Sequence, residues 1–586
     1  MNILSLQLGH NATVLLMADG YIKSAISQEK FDNNKNSFAF PHEAIEWVLS
    51  QNKLTSDGID HVAICGLGAL PQQLDAFAIE EKRNNHEKSV LKKLYAKAEL
   101  NYGFNSAFSV VSGIKKRLDK RRMIEGREQL LFLLKDRYGI GSSKVEFVEH
   151  HVCHTYSPAY FFGDEDREWI ILTMDGAGDR YFCSVNTFKN GVISRISNTP
   201  WAHSLGYVYS MTTKFLGMKP LEHEYKVMGL AAYAKKGYFE GTYNRVFKGV
   251  AWLKKDGSIE FSSKFPLNRF EEYLRNVCIG ERFDNVAGAL QQFLEDLVLD
   301  WVRLAIKKIG IRNVMTSGGV FMNVKLNKLI QELPEVERVR FMPSCGDESN
   351  PFGAAYAVME RTGKAHSIPI PPLGHVYLGH EFSNDDIRIF IKSHDIERRY
   401  DVQYHENIED VIAKMIADFN VVARVAGKAE FGARSLGNRA ILANPSDMKS
   451  FYTVNDLIKA RDFWMPFAPS ILDTDVRRYL LNPKDVESPY MITAFDTTPL
   501  AHDHLRAAMH QGDKTVRPQI VTEKANLKYY RLIMKFKEHT NIGGILNTSY
   551  NLHGFPLAST LEQALFTFEN SGLKNLALEN YLLSKS

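Results

Sequence analysis

The sequence is poor in cysteine. Its 586 residues contain five, Cys65, Cys153, Cys183, Cys278 and Cys345, scattered and without a CxxC pair. That excludes a thiolate zinc finger and fits thiols kept reduced. No uncharged apolar run approaches the length of a membrane span. Net charge is small as well: 72 Lys and Arg against 68 Asp and Glu leave +4, so nothing demands nucleic acid or a membrane as partner. The chain enters the apolar run Ile3-Leu4-Ser5-Leu6 with no basic segment before it, so no secretory signal and a cytoplasmic location are expected. Neither a serine elbow nor a cysteine marked as a nucleophile stands out, and covalent catalysis is not called for.

What is present is an ordinary globular composition, 45% apolar and 24% charged, in a chain too long for one core. Two to four domains are expected. Residues 3–29 read as strand, tight turn at Gly9-His10-Asn11-Ala12, strand, Asp19-Gly20 turn, strand. Residues 169–196 repeat this plan, with Gly176-Ala177-Gly178-Asp179 and Asn190-Gly191 as the turns; both second turns are strong hairpin signals. Two such meanders, each followed by helical sequence, predict a duplicated α/β unit of the actin-like ATPase and sugar-kinase kind, with a nucleotide in the cleft between copies.

Between the copies, residues 78–136 read as largely helical and include the basic run from Lys115 to Arg122, more simply a solvated helix face than an acidic-partner patch. Residues 285–310 predict a long amphipathic helix. A strand, Val314 to Thr316, runs into Ser317-Gly318-Gly319 with Asn323 beyond, a usual place for a nucleotide to lie against backbone. Ile368-Pro369-Ile370-Pro371-Pro372 reads as the linker, dividing the chain into domains 1–368 and 373–586. The second is expected to alternate strands and helices. Its polar clusters place Arg434, Arg439, Lys459 and Arg517 where they could converge on phosphate, although surface ion pairs would explain each one singly.

The apolar strand Val145 to Val148 opens into Glu149-His150-His151-Val152-Cys153-His154. On a helix His150 and His154 stand one turn apart and can reach one metal ion. With 19 His in the chain, chance gives roughly 0.6 HxxxH pairs, so the pair counts only with its company. That company is Asp175, at the end of a β-branched strand with glycines beyond it. Pro158 is expected to crowd the carbonyl of His154.

Taken in order, several segments resemble the O-carbamoyltransferases of the nodulation-protein and antibiotic-tailoring type. They are Gly9-His10-Asn11-Ala12, Glu29-Lys30-Phe31 with Lys35, His150 to His154, Met174-Asp175-Gly176, Lys226 to Ala231, Gly318-Gly319-Val320 with Asn323, and Gly346-Asp347. Further on come Glu430 to Arg439, Pro466-Phe467-Ala468-Pro469, Arg517-Pro518-Gln519 and Leu546 to Asn551. The resemblance implies a domain like the tRNA threonylcarbamoyl-transfer proteins, of duplicated actin-like ATPase fold, followed by a YrdC-like α/β domain. It implies that carbamoyl phosphate and ATP give carbamoyl adenylate and pyrophosphate in the second domain. A substrate hydroxyl then attacks the carbamoyl carbon in the first, and AMP leaves.

By the same resemblance His150, His154, Asp175 and Asp347 bind a divalent metal, iron being the family's, while two imidazoles and two carboxylates also suit manganese or zinc, with magnesium a further possibility. His10 serves as oxyanion donor or general base, with Lys35 beside it. Gly318, Gly319, Asn323 and Lys226 line the nucleotide site; Arg434, Arg439, Lys459, Arg517, Asn547 and Ser549 hold carbamoyl phosphate and the ATP phosphates. The acceptor is expected to be a small-molecule or glycan hydroxyl, with its pocket near residues 200–225 and 78–136, and oligomeric state is not legible. Three positions depart from the family pattern: Met465 where Arg is usual, Phe555 where an acid is common, and Tyr225 where Gly is usual. Hydrogenase maturation is disfavoured by the absence of cysteine-rich fingers, and tRNA threonylcarbamoylation by the modest charge. A regulatory nucleotide-binding module of the same fold remains the alternative from another class; it would bind ATP without dependence on carbamoyl phosphate.

Overall fold

A computed structural model describes residues 1–68, 123–164, 166–262, 267–362 and 370–585. The basic run at 115–122 and the insertion at 78–122 lie outside the described residues; residues 123–138 are helical, as expected. The first sheet contains β1 (Asn2–Gln7), β2 (Thr13–Ala18), β3 (Tyr21–Ser27), β4 (His61–Cys65) and β5 (Val145–Val148), in the order β3-β2-β1-β4-β5. The second contains β6 (Trp169–Gly178), β7 (Tyr181–Lys189), β8 (Val192–Pro200), β9 (Asn313–Ser317) and β10 (Arg338–Phe341), in the order β8-β7-β6-β9-β10. Each is an antiparallel three-strand meander extended by two parallel strands, so the duplication read from the sequence is present strand for strand. This is the architecture of the actin-like ATPase fold. The two hairpin turns form because Asp19-Gly20 and Asn190-Gly191 all take positive φ, 49° and 83°, 50° and 74°, which the twist of a two-residue hairpin requires.

Helix α1 (His150–Phe161) follows the last strand of the first sheet, and α5 (Asn350–Arg361) follows the last strand of the second. Between them run α2 (Glu224–Ala231), the amphipathic α3 (Phe283–Ile309) and α4 (Val324–Glu332). The two terminal helices are exchanged: α5 packs on β1 and β4, α1 on β6 and β9, and the two lie against each other. Both are buried along most of their length. Pro158 lies inside α1 without ending it.

The C-terminal part is built on an eight-stranded mixed sheet. Its strands are β11 (Asp401–Tyr404), β12 (Val422–Val425), β13 (Arg439–Ala443), β14 (Ala468–Leu472), β15 (Gln519–Val521), β16 (Gly544–Ser549), β17 (Asn575–Leu578) and β18 (Tyr581–Ser584), in the order β11-β18-β17-β12-β13-β16-β14-β15. Two apolar clusters cover its faces. The stretch at Pro371 and Pro372 is irregular and without helix or strand, but the two parts do not hang loosely from it. Phe352 meets Phe431 with ring centroids 5.1 Å apart, and Phe161 meets Tyr490 at 5.8 Å, so the N-terminal core continues into the C-terminal part.

Polar contacts fix the same interface. Asn327 Nδ2 donates to the Ile492 carbonyl at 2.7 Å, and Lys484 Nζ to those of Leu333 and Val336 at 2.6 Å. His510 Nε2 donates to the Gly229 carbonyl at 3.0 Å while its Nδ1 accepts from Gly512 N at 3.1 Å. That arrangement uses both ring nitrogens of a neutral imidazole. Burial, then Lys325, pushes its pKa down to about 4. Because the folded value lies below the unfolded one, stability is intact above the unfolded pKa of about 6.5 and falls as the pH drops from there through about 4, by up to ~1.4 kcal/mol per pH unit. Urea titrations between pH 7 and 4 should show this acid-side slope, diminished in His510→Gln.

Candidate active site

The N-termini of α1 and α5 meet beside the end of β6, and the four expected metal ligands meet with them. His150 Nε2 lies 3.1 Å from His154 Nε2, 3.4 Å from Asp175 Oδ2 and 3.5 Å from Asp347 Oδ1; His154 Nε2 is also 3.5 Å from Asp347 Oδ1. One ligand atom from each residue falls within 4.8 Å of all the others. Such spacing suits a cation with bonds of about 2.0–2.2 Å. Burial disfavours the His150 imidazolium, but Asp347, Asp175 and Asp179 outweigh it and raise its pKa to about 10. The same contacts hold Asp175 well below the usual carboxylate range despite its burial.

The surrounding chain holds these groups rigidly. Glu149 caps α1 by accepting from the amides of His151 at 2.9 Å and Val152 at 3.0 Å, and is itself paired with Arg195 at 2.8 Å. Asp179 Oδ2 accepts from the His150 amide at 2.8 Å, so three amides left over at the helix start find carboxylates. His154 Nδ1 faces Ser317 Oγ at 3.2 Å, and Asp175 Oδ1 accepts from Gly319 N at 2.8 Å. Glycine is needed where the His150 ring passes: a Cβ on Gly178 would stand 2.1 Å from it. Gly318, at φ 105°, would bring a Cβ to 2.2 Å from the Met174 carbonyl oxygen, so the turn after β9 can lie this close only as glycine. His151, between the two expected ligands, instead turns inward to Thr173 Oγ1 at 2.8 Å, and burial keeps it neutral.

The turn after β1 lies over this cluster. Asn11 Nδ2 donates to Glu348 Oε2 at 3.1 Å, next to Asp347, and Ser344 Oγ donates to Glu348 Oε1 at 2.5 Å. His10 is in electrostatic contact with Glu348; its Nε2 is buried and has no hydrogen-bond partner among the described residues.

From the C-terminal part, Gly432 packs on Ser344 so closely that a Cβ would stand 2.2 Å from its Oγ, which brings Arg434 beside Cys345 and Glu348. Arg434, Arg461 and Arg517 form one cluster, and none has a carboxylate within ion-pair distance among the described residues. Burial first, and then the neighbouring guanidinium groups, pushes Arg517 well below its ordinary value; burial, and then Arg434, lowers Arg461 to about 10. Since guanidinium groups keep their protons, the cluster carries uncompensated charge that an anion would relieve. Arg461, whose guanidinium among the described residues donates only to the Pro466 carbonyl at 3.4 Å and Thr548 Oγ1 at 3.2 Å, is not among the residues expected from the sequence. Its signal lay in the polar stretch around Lys459.

Other expected site residues are placed differently. Arg439 is spent on the carbonyls of Ala426, Gly427 and His380. Asn547 bonds Ser435, Ser470 and Gln519. Lys459 donates to Ser549 and Asn551. Asn323 caps α4 and exchanges hydrogen bonds with Gln291 at 2.9 and 3.1 Å. Lys226 reaches across the interface to Asp462 at 3.1 Å. Met465 is buried against Gly229 of α2, and Phe555 is 37% exposed.

The carbamoyltransferase N-terminus family model matches residues 2–356 and the carbamoyltransferase C-terminus model residues 413–585. The chain therefore belongs to the carbamoyltransferase family. Its relatives include an uncharacterized protein of Methanocaldococcus jannaschii, 32% identical over 88% of this chain and 86% of that one. Nodulation protein NolNO of Sinorhizobium fredii is 27% identical over 98% and 79%. The 3′-hydroxymethylcephem-O-carbamoyltransferase of Amycolatopsis lactamdurans is 28% identical over 62% and 65%. Among solved structures, component A of the Acidaminococcus fermentans (R)-2-hydroxyglutaryl-CoA dehydratase aligns over 62% of this chain and 100% of its own, at 16% identity and TM-score 0.33. Full-length HypF in the phosphate- and nucleotide-bound form aligns over 61% and 56%, at 14% identity and TM-score 0.31. No described helix is long and apolar enough to cross a membrane.

Proposed function

We propose that the chain makes carbamoyl adenylate from carbamoyl phosphate and ATP at the arginine cluster and passes the carbamoyl group, beside His10, to a hydroxyl of a sugar, polysaccharide or secondary metabolite. The observation that carries this reading is the adjacency of the two clusters: Arg434, one of the three clustered arginines, stands beside Glu348, the residue that follows Asp347. Arg434, Arg461 and Arg517 bind and orient phosphoryl oxygens. Atom balance requires one water, since carbamoyl phosphate loses phosphate as carbamate forms. A carbamate oxygen then displaces pyrophosphate from the α-phosphorus of ATP. In the second step the acceptor oxygen bonds to the carbamoyl carbon and the bond to AMP breaks, with His10 either taking the hydroxyl proton or hydrogen-bonding the developing oxyanion. The short path between clusters keeps a labile anhydride from water.

The donor set fits a divalent ion, and two imidazoles favour iron, manganese or zinc over magnesium. Held by His150, His154, Asp175 and Asp347, the ion would supply charge neutralisation for nucleotide phosphate and the leaving group. Pyrophosphate release from ATP, measured with and without carbamoyl phosphate, is expected to be strongly stimulated by it. Release or ATP binding indifferent to carbamoyl phosphate would instead favour a regulatory nucleotide module. A mass gain of one carbamoyl group across a panel of hydroxylated sugars would identify the acceptor class.

A further inference from the structure

Helix α2 belongs to the N-terminal part of the chain, yet it is fastened to the loop that carries Arg461. Lys226 Nζ pairs with Asp462 at 3.1 Å, and Trp464 Nε1 donates to the Lys226 carbonyl at 3.2 Å. Gly229 sits close against the Trp464 carbonyl, where a Cβ would stand a tight 3.3 Å away. These contacts fix Tyr225, one residue before Lys226. Its ring lies 5.8 Å from Lys35 Nζ and edge-on to His223 at 6.2 Å, and the phenol is within electrostatic reach of both Arg434 and Arg461. It is half-buried, and among the described residues its hydroxyl has no hydrogen-bond partner. A hydroxyl set among these cations is placed to donate to an anion that they attract.

We propose that Tyr225 is a further ligand-binding residue: its phenol hydroxyl, contributed by the N-terminal part, hydrogen-bonds the phosphoryl group held by Arg434, Arg461 and Arg517. The anion site is then composite. Neither part of the chain completes it alone, and the phosphoryl group is held at the boundary that the carbamoyl group must cross. Because α2 is tied down by Lys226 and Asp462, the hydroxyl is presented in a fixed position and little ordering accompanies binding. The inference rests on reading the arginine cluster as a phosphoryl site.

The test is calorimetric titration of the full chain and its Tyr225→Phe variant with inorganic phosphate, carbamoyl phosphate and ATP in turn. Phenylalanine keeps the ring and its packing and removes only the donor. A hydrogen bond to a charged acceptor predicts a roughly tenfold or larger rise in Kd for inorganic phosphate and for at least one of the two substrates. The substrate affected tells whether the group held is that of carbamoyl phosphate or of ATP. Unchanged Kd values for all three, or no phosphate binding by the native chain, would overturn the proposal. If phosphate binding depends on Tyr225 while carbamoyl phosphate fails to stimulate pyrophosphate release, the inference stands and the carbamoyl-transfer reading falls.

Discussion

Arg517→Met should lose carbamoyl-phosphate-stimulated pyrophosphate release by roughly 10²–10³-fold, the usual cost of deleting a buried charge-assisted contact to a reacting phosphate, and should nevertheless unfold at a higher temperature than the native chain. The two effects have one cause. Arg517 is held near Arg434 and Arg461, and among the described residues no carboxylate lies within ion-pair distance of Arg517, so these like charges oppose folding until an anion compensates them. Methionine retains most of the aliphatic stem and removes the repulsion. The native chain should in turn be stabilised by millimolar phosphate through binding linkage, and the variant should not. A variant that loses both activity and stability would show Arg517 to be a structural cation, as Arg439 is by its hydrogen bonds. Differential scanning fluorimetry with and without phosphate, alongside the pyrophosphate assay, separates these outcomes.

The second large effect concerns the ion site. His154→Ala should lower affinity for Mn²⁺ or Zn²⁺ by at least roughly 10²-fold, with the loss read by equilibrium dialysis rather than by turnover. His154 is fully enclosed and its other nitrogen faces Ser317, so its removal leaves the group of four one ligand short. His151→Ala serves as the contrast: that ring turns away toward Thr173, and its removal should leave metal binding within a few-fold of native. Equal loss in both variants would mean that α1 had collapsed rather than lost a ligand.

How far the sequence revealed this arrangement depended on the physical kind of signal. The doubled meander was legible because hairpin turns carry local chemistry, Asp19-Gly20 and Asn190-Gly191, and strands alternate with it. His150 and His154 were legible because helical spacing places them on one face, and Asp175 because it ends a strand before glycines; Asp347 was proposed only through the resemblance, and nothing local fixes where a strand end meets a distant turn. The arginine cluster was only partly readable. Arg434 and Arg517 join Arg461 in one cluster, but Arg439 and Asn547, equally polar and within the same motifs, satisfy buried carbonyls and side chains of their own domain. Sequence cannot distinguish a cation that waits for a ligand from one that ties down a loop, because the difference lies in partners supplied by other elements. Arg461 was missed for the same reason in reverse: beside Lys459 and Asp462 it resembles ordinary surface charge.

The exchange of α1 and α5 between the two sheets bears on how this enzyme can be divided. Cut between β5 and β6, the first half would carry away the two imidazoles but leave both carboxylates behind, and its own sheet would lose Phe352, Tyr356 and their neighbours as a lid. The duplicated units are therefore interlocked, not tandem. Either half expressed alone would expose one apolar sheet face and hold only part of the ion-binding group, so the two should fold only together.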